Sequence, residues 1–295
     1  MKTLDAIFKE VYGEKLKEYG FVKLKGRQPY FVRLIGDEIV QVITYINEWC
    51  EKKGYKAFTI LCGVATVYRE KLTLDWSPTK NTDWLVSLRQ IYAYSTYPNI
   101  DKEYSKSIDS FIYRDGDEAS IYNALNNSFD YTEKLILPVL NDIVDLKSCM
   151  FFLNKYNMRT ILFDIEDEFG KNDGLSYCNE GMITFLVYNV DEYKKIESEK
   201  CEEAIKLIKS SLQISYKQML SRLEGDMRKT QEKKYEEELY RNIDSHRNSF
   251  VEQVEIFKSI KNDCEKMKKV QKELIKRKQN SVIMLKKYEL IRGTR

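Results

Sequence analysis

The amino-acid sequence predicts an α+β fold: an N-terminal antiparallel sheet of about four strands flanked by helices, then an all-helical C-terminal region with a long, coiled-coil-like helix. Three observations carry this expectation. Residues 20–68 alternate apolar and polar positions between turn signals. No proline follows Pro138, and proline is the residue that helix interiors exclude most strongly. Between Asp226 and Leu290 there is neither Gly nor Pro, and apolar residues recur at seven-residue spacing.

The elements follow in order. Leu4, Ile7, Phe8 and Val11 fall on one face of a 3.6-residue period, so residues 2–19 read as an amphipathic helix that Gly20 can cap. Phe21–Lys25 reads as a short strand, Gly26–Pro29 as a turn and Tyr30–Ile35 as a second strand. Gly36–Asp37 is a hairpin signal, and the strand Glu38–Ile46 follows it. Both faces of that strand are apolar except for Gln41 and Thr44, which predicts cover on both sides. Tyr55–Tyr68 reads as a long strand in which Gly63 marks a bulge or a close approach. Residues 69–116, with Trp76, Trp84, Pro78 and Pro98, read as loops and short helices.

Helix signals take over at Asp117. Ile121, Leu125, Phe129 and Leu135 mark a helix over 117–136, Pro138 suits the first position of the next turn, and Asp145 can cap a helix running to about Tyr156. Residues 182–190 suit a strand or a buried helix, and the flanking helices favour helix. Residues 192–223 read as helix through Ile196, Ala204, Leu207, Ile208, Leu212, Met219 and Leu223. In the tail, Ile243, Phe250, Phe257 and Cys264 form one seam and Leu239, Ile260, Met267 and Leu274 a second, broken by His246 and Gln253. A tail helix of this length either pairs with a second chain or breaks near Ser245–Ser249 and folds back. With no Gly or Pro for a tight turn, pairing is favoured. The expected divisions are 1–157 (α+β), 158–225 (helical) and 226–295 (the long helix).

Composition sets limits on function. With 43% hydrophobic and 32% charged residues the chain can bury a core and still present charged helices. The net charge of +3 demands no polyanionic partner. Charge is uneven, however: residues 191–295 hold 26 basic and 19 acidic side chains, so the tail is the part that favours an anionic surface. The six cysteines are scattered without a CxxC pair, which reads as reduced thiols in a cytoplasmic protein. No apolar run reaches 18 residues, and the N-terminal stretch lacks a signal-peptide core, so no membrane insertion is expected.

Candidate chemistry is sparse. His246 is the single histidine, so a Ser–His or Cys–His nucleophile would have to use it; its place in a helix seam favours packing. Asp164, Glu166, Asp167 and Glu168 could hold a divalent cation, but a run of four acids within five residues is more simply a solvated segment. Phosphate-loop, dinucleotide, GxSxG and kinase signatures do not occur. No cofactor is expected. The basic residues Lys266, Lys268, Lys269, Lys276, Arg277 and Lys278 could contact an anion such as nucleic acid or acidic lipid, although a solvated helix face explains them as well.

The order of motifs in the N-terminal half resembles a bacterial family, domain of unknown function 4304. The opening helix Leu4–Gly20 runs into Phe21. Tyr30–Arg33 and Gly36–Ile43 resemble the family's first hairpin, and Ala57–Val64 its next strand. Leu135–Leu140 resembles a late leucine–proline helix start. The resemblance covers roughly residues 3–157. It implies the α+β fold but no activity, so it transfers no catalytic residue.

The function expected from these readings is protein–protein interaction: a non-catalytic regulatory or defence-associated accessory protein, forming a homodimer or holding a partner through Phe250, Phe257, Ile260, Met267 and Leu274. The alternatives are a nucleic-acid-associated protein using the basic tail helix and, more remotely, a metal-dependent enzyme built on the acids near Asp164.

Overall fold

A computed structural model of the chain describes residues 2–24, 29–68, 85–87, 110–156, 181–221 and 223–290. Trp76, Trp84, Pro78, Pro98, most of the Gly26–Pro29 turn and the acidic cluster at Asp164–Glu168 lie outside these residues. The described residues form two compact units. The first holds those up to 156 together with 181–183 and 272–290; the second holds those within 184–271.

The first unit is an α+β domain. Helix α1 (Leu4–Glu18) is capped by the Thr3 side chain, which accepts the Ala6 N–H. It ends at Gly20, whose φ of +79° lets Gly20 N–H reach the Lys17 carbonyl and Phe21 N–H the Leu16 carbonyl. This paired closure needs a left-handed residue at that point, which is why glycine stands there. Strands β1 (Val22–Lys23), β2 (Phe31–Ile35), β3 (Ile39–Glu48) and β4 (Tyr55–Thr66) follow, each antiparallel to the next. Gly36 and Asp37 take φ of 56° and 57°, and Glu38 N–H closes the turn on the Ile35 carbonyl at 3.1 Å. Two successive left-handed residues match the twist of the strands they join.

Among the described residues the sheet has six strands, where about four were expected. Strands β5 (Leu85–Ser87) and β6 (Phe111–Arg114) share the far edge of β4, facing Leu61–Gly63 and Tyr55–Phe58 respectively. Both fall in the stretch read as loops and short helices. Strands of three and four residues are too short to display a period of two. The β3–β4 ladder runs without interruption from Ile39↔Thr66 to Glu48↔Ala57, so Gly63 makes no bulge.

Helix α2 (Glu118–Tyr131) is capped by Asp117 and passes into a π-helical turn, Thr132–Ile136. Helix α3 (Leu137–Asn141) carries Pro138 in its first turn, and α4 (Leu146–Tyr156) starts at Asp145, whose carboxylate accepts the Ser148 N–H at 2.8 Å. Helix α2 runs alongside α1: Lys2 reaches Tyr122, Tyr12 reaches Ser128, and Tyr19 reaches Glu133. The core between the helices and the sheet is aromatic. Phe8 stacks on Tyr12 at 4.2 Å between ring centres and meets Tyr45 at 4.8 Å, while Phe58 stacks on Phe111 at 5.5 Å.

The C-terminal region is helical, as predicted. A single 3₁₀ turn (Gly181–Ile183) leads to the short helix α5 (Thr184–Val187), so residues 182–187 are helical and not a strand. The second unit is built on α6 (Val190–Leu220) and α7 (Gly225–Lys261). Asn189 and Glu192 close a reciprocal capping box at the start of α6. The tail is not one helix. It breaks at Asn262–Asp263, and α8 (Cys264–Lys287) follows. Neither Gly nor Pro makes this break. The Asp263 carboxylate accepts the N–H of Glu265 at 2.9 Å and of Lys266 at 3.1 Å, so a new helix is capped where the old one stops.

Candidate functional site

The polar clusters of the first unit act on its own architecture. Arg33 and Gln41 are opposite each other on β2 and β3. Gln41 is fully buried. Its Oε1 accepts from Arg33 Nε at 2.8 Å and Nη2 at 2.6 Å, and its Nε2 donates to the Leu140 carbonyl at 2.7 Å. Arg33 Nη1 donates to the Tyr19 carbonyl at 2.9 Å, so one side-chain pair ties together the end of α1, the hairpin and α3. Gln41 thereby satisfies the polar exception that its strand showed in sequence. A second cluster joins α1 to α2. Ser128 and Thr132 donate their hydroxyl protons to the Leu125 and Ser128 carbonyls. That leaves the one Tyr12 hydroxyl proton to be shared between their oxygens, at 2.8 and 3.0 Å. Complete burial pushes the Tyr12 phenol well above its ordinary value, which keeps it a donor. A third cluster sets Lys278 of α8 at 3.0 Å from Glu38, which also accepts the Tyr68 hydroxyl at 2.5 Å. Burial opposes the Glu38 charge, but the two hydrogen bonds outweigh it and hold the carboxyl below its ordinary value.

The second unit is an antiparallel helical hairpin. Tyr193 meets Phe257, Cys201 meets His246 and Tyr216 meets Tyr235, so the α7 position falls as the α6 position rises. At the base, Phe257 lies in a stack of three rings, 3.9 Å from Tyr193 and 4.8 Å from Phe185. Tyr216 and Tyr235, 3.9 Å apart, hold the outer end. The buried residues of α6 include Tyr193, Glu197, Ile205 and Tyr216. Sequence periodicity pointed to Ile196, Ala204 and Ile208 instead, which are half-buried, and to Met219, which is exposed. That reading followed aliphatic residues and passed over two tyrosines and a glutamate on the same stripe. On α7 the buried residues are Ile243, Val254, Phe257 and Ile260. Val254 is missing from a strict seven-residue count because this seam follows a straight helix's 3.6-residue period.

The interaction residues expected from sequence divide. Phe257, Ile260 and Leu274 are buried in the chain, while Phe250 and Met267 are half-exposed. Cys264, the seam residue at the break, is exposed. The basic residues divide too. Arg277 is buried and pairs with Glu273 at 3.2 Å, and Lys278 pairs with Glu38. Lys268 pairs with Glu265 and Lys276 with Glu273 one turn away, and Lys266 and Lys269 form no ion pair among the described residues. On α8 the buried stripe is Val270, Leu274, Arg277, Ser281 and Leu285.

The single histidine sits beside a cysteine, but in the wrong arrangement to activate it. The Cys201 thiol donates to the His246 carbonyl at 3.7 Å, and His246 Nδ1 donates to the Asn242 carbonyl at 3.1 Å. Burial and the neighbouring Glu202 push the thiol up, away from the reactive thiolate. His246 is exposed on α7, not enclosed in the seam. Among the described residues, no three or more His, Cys, Asp or Glu side chains group so as to hold a metal ion. No described helix is long and apolar enough to cross a membrane.

The tip of the hairpin faces outward. Over the 18 residues from Gly225 to Asn242 no side chain is buried, and Met227 and Tyr240 are 68% and 64% exposed. Met219, at the end of α6, is exposed as well. No family model matches the chain, and neither a curated protein nor a solved structure matches it significantly.

Proposed function

We propose that this chain is a protein–protein interaction protein of the regulatory or defence-associated accessory kind, and that the α6–α7 hairpin engages its partner. The observation that supports this is the tip of that hairpin. Tyr216 joins the helices there through the Tyr235 ring and the Gln231 carbonyl, and large side chains that would gain from cover stand in water. Isolated helices are marginal in water, so a long arm with so little of its own seam gains order from a partner. Methionine suits such a surface, because its flexible thioether adapts to varied shapes.

The partner is another protein or a second copy of this chain. A dimer would use the tip or the half-exposed Phe250 and Met267, since Phe257, Ile260 and Leu274 are already covered. Binding of nucleic acid by the tail has less support, because four of its six basic residues are paired to acids of the same chain. The resemblance of residues 3–157 to domain of unknown function 4304 supplies no activity to the proposal.

The test compares the full chain with a Met227→Asp, Tyr240→Asp variant. Light scattering gives the oligomeric state, and affinity capture gives the partners. Loss of a dimer or of a captured protein, with the wild-type circular dichroism spectrum kept, supports the proposal. An unchanged mass and an unchanged captured set would refute it. Salt-sensitive retention of both proteins on heparin would favour the nucleic-acid reading.

A further inference from the structure

The seam of the α6–α7 hairpin encloses one carboxyl group. Glu197 is 4% exposed and lies on α6 between the stacked rings at the base and the buried Ile205. The hairpin's register shows what it faces. Tyr193 meets Phe257 and Cys201 meets the His246 carbonyl, so Glu197, midway between them, lies opposite the middle of residues 246–257. Within that stretch Gln253 places its Oε1 in the interior, where it has no hydrogen-bond partner. Helical side chains lean towards the N-terminus of their own helix, so in this antiparallel pair the Gln253 amide and the Glu197 carboxyl lean past each other within one turn of the seam. An amide oxygen and a carboxylate oxygen are both acceptors, and a buried acceptor without a donor is costly. One added proton converts the carboxyl into the donor that Gln253 lacks.

We propose that Glu197 takes a proton from solvent as the hairpin closes and that its carboxyl O–H donates to Gln253 Oε1, forming a proton-loaded lock in the seam. No covalent bond is made or broken; the proton returns to solvent when the hairpin opens. The competing group is Lys200, one turn further along α6, with Nζ 3.3 Å from Glu197 Oε1. From α7, Arg247 acts on Cys201, and Glu252 and Glu255 are exposed. Burial outweighs Lys200 and holds the Glu197 carboxyl above its ordinary value. A carboxyl raised by folding favours the closed hairpin at low pH. That advantage declines as pH rises from the ordinary glutamate value through the raised one. The proposal concerns the hairpin alone and is independent of what its tip binds.

Hydrogen exchange on the full chain tests it. Amide protection in residues 193–205 and 246–257, corrected for intrinsic rates, is followed from about pH 7.5 down to about pH 4.5. In the wild type, protection rises as pH falls, by at most about tenfold per pH unit for one proton. In Glu197→Gln an amide N–H stands where the carboxyl O–H would be, so protection is high and flat. Lys200→Met removes the opposing cation and moves the rise to higher pH. Infrared spectroscopy at about pH 5.5, where an ordinary glutamate is ionised, reads the proton in the unaltered seam. A protonated-carboxyl stretch is expected in the wild type and is lost in Glu197→Gln. Flat wild-type protection, a wild-type pH dependence in Glu197→Gln, or no such stretch in the wild type overturns the proposal.

Discussion

The sheet of the first unit and the hairpin of the second bury their side chains on different principles. From Ile39 to Tyr45 on β3, and from Ala57 to Thr66 on β4, every residue is buried, so both faces of the sheet are covered. Helix α7 has 37 residues and buries four of them, all on one stripe. The sheet interior is closed by rings in mutual contact, and its buried Gln41 and Thr44 donate to the Leu140 and Pro29 carbonyls. The hairpin is closed by rings at its two ends, with a carboxyl, an amide and a thiol between them. A region covered on both faces tolerates little change. A single stripe leaves room for polar groups.

Four substitutions break or sharpen this contrast, in decreasing order of expected effect. Phe58 is fully buried and touches Tyr45, Phe111 and Tyr113, so Phe58→Ala should destabilise the first unit by about 3–5 kcal/mol in urea unfolding. Phe257→Ala removes the middle of the three-ring stack and should cost roughly 3 kcal/mol. Here the signature is local. Amides of α6 and α7 should exchange faster while those of β3 and β4 keep their protection. Equal loss in both places would show that the two units do not open independently.

The third, Gln41→Leu, preserves burial but leaves Arg33 without its paired oxygen and removes one donor from the Leu140 carbonyl, which keeps the Ile143 N–H. A loss of about 1–3 kcal/mol is expected, measured by thermal unfolding. No loss would mean that the clamp specifies geometry without adding stability. The smallest effect is at the exposed cap of α8. The Lys266 N–H, and then that of Glu265, hold the Asp263 carboxyl below its ordinary value. The stabilisation is therefore present above the ordinary aspartate value and lost as pH falls through the lowered one. Asp263→Ala should raise exchange at residues 264–268 at neutral pH and remove that acid dependence. Unchanged exchange in Asp263→Ala would show that the break at 262–263 does not depend on its cap.

Much of the first unit was legible because its signals are local. Gly20 closes α1, Gly36–Asp37 forms the turn between β2 and β3, Asp117 and Asp145 cap α2 and α4, and Pro138 sits in the first turn of α3. Each depends on backbone conformation or on a hydrogen bond spanning three or four residues. Strands β5 and β6 were missed because strands so short exist only by pairing with β4. The break in the tail was sought in Gly or Pro and at Ser245–Ser249, whereas an aspartate cap made it at Asn262–Asp263. The sequence carried that signal, since Asp stands immediately before an apolar helical period, but long heptad continuity masked it.

By itself, then, the sequence determined the α+β class, the N-terminal helix and hairpin, the caps, and the helical character of residues 192–220 and of most of the tail from 226. These follow from dihedral preference and from 3.6- or two-residue periodicity, which neighbouring residues impose. Only the tertiary structure decided which side of each helix is covered and what covers it. It placed Phe257 between Phe185 and Tyr193, turned the Cys201 thiol to a carbonyl, and enclosed Glu197 in the α6–α7 seam. A contact between residues 64 positions apart, as in Tyr193 and Phe257, leaves no trace in local periodicity, because it arises from the direction in which two helices pack.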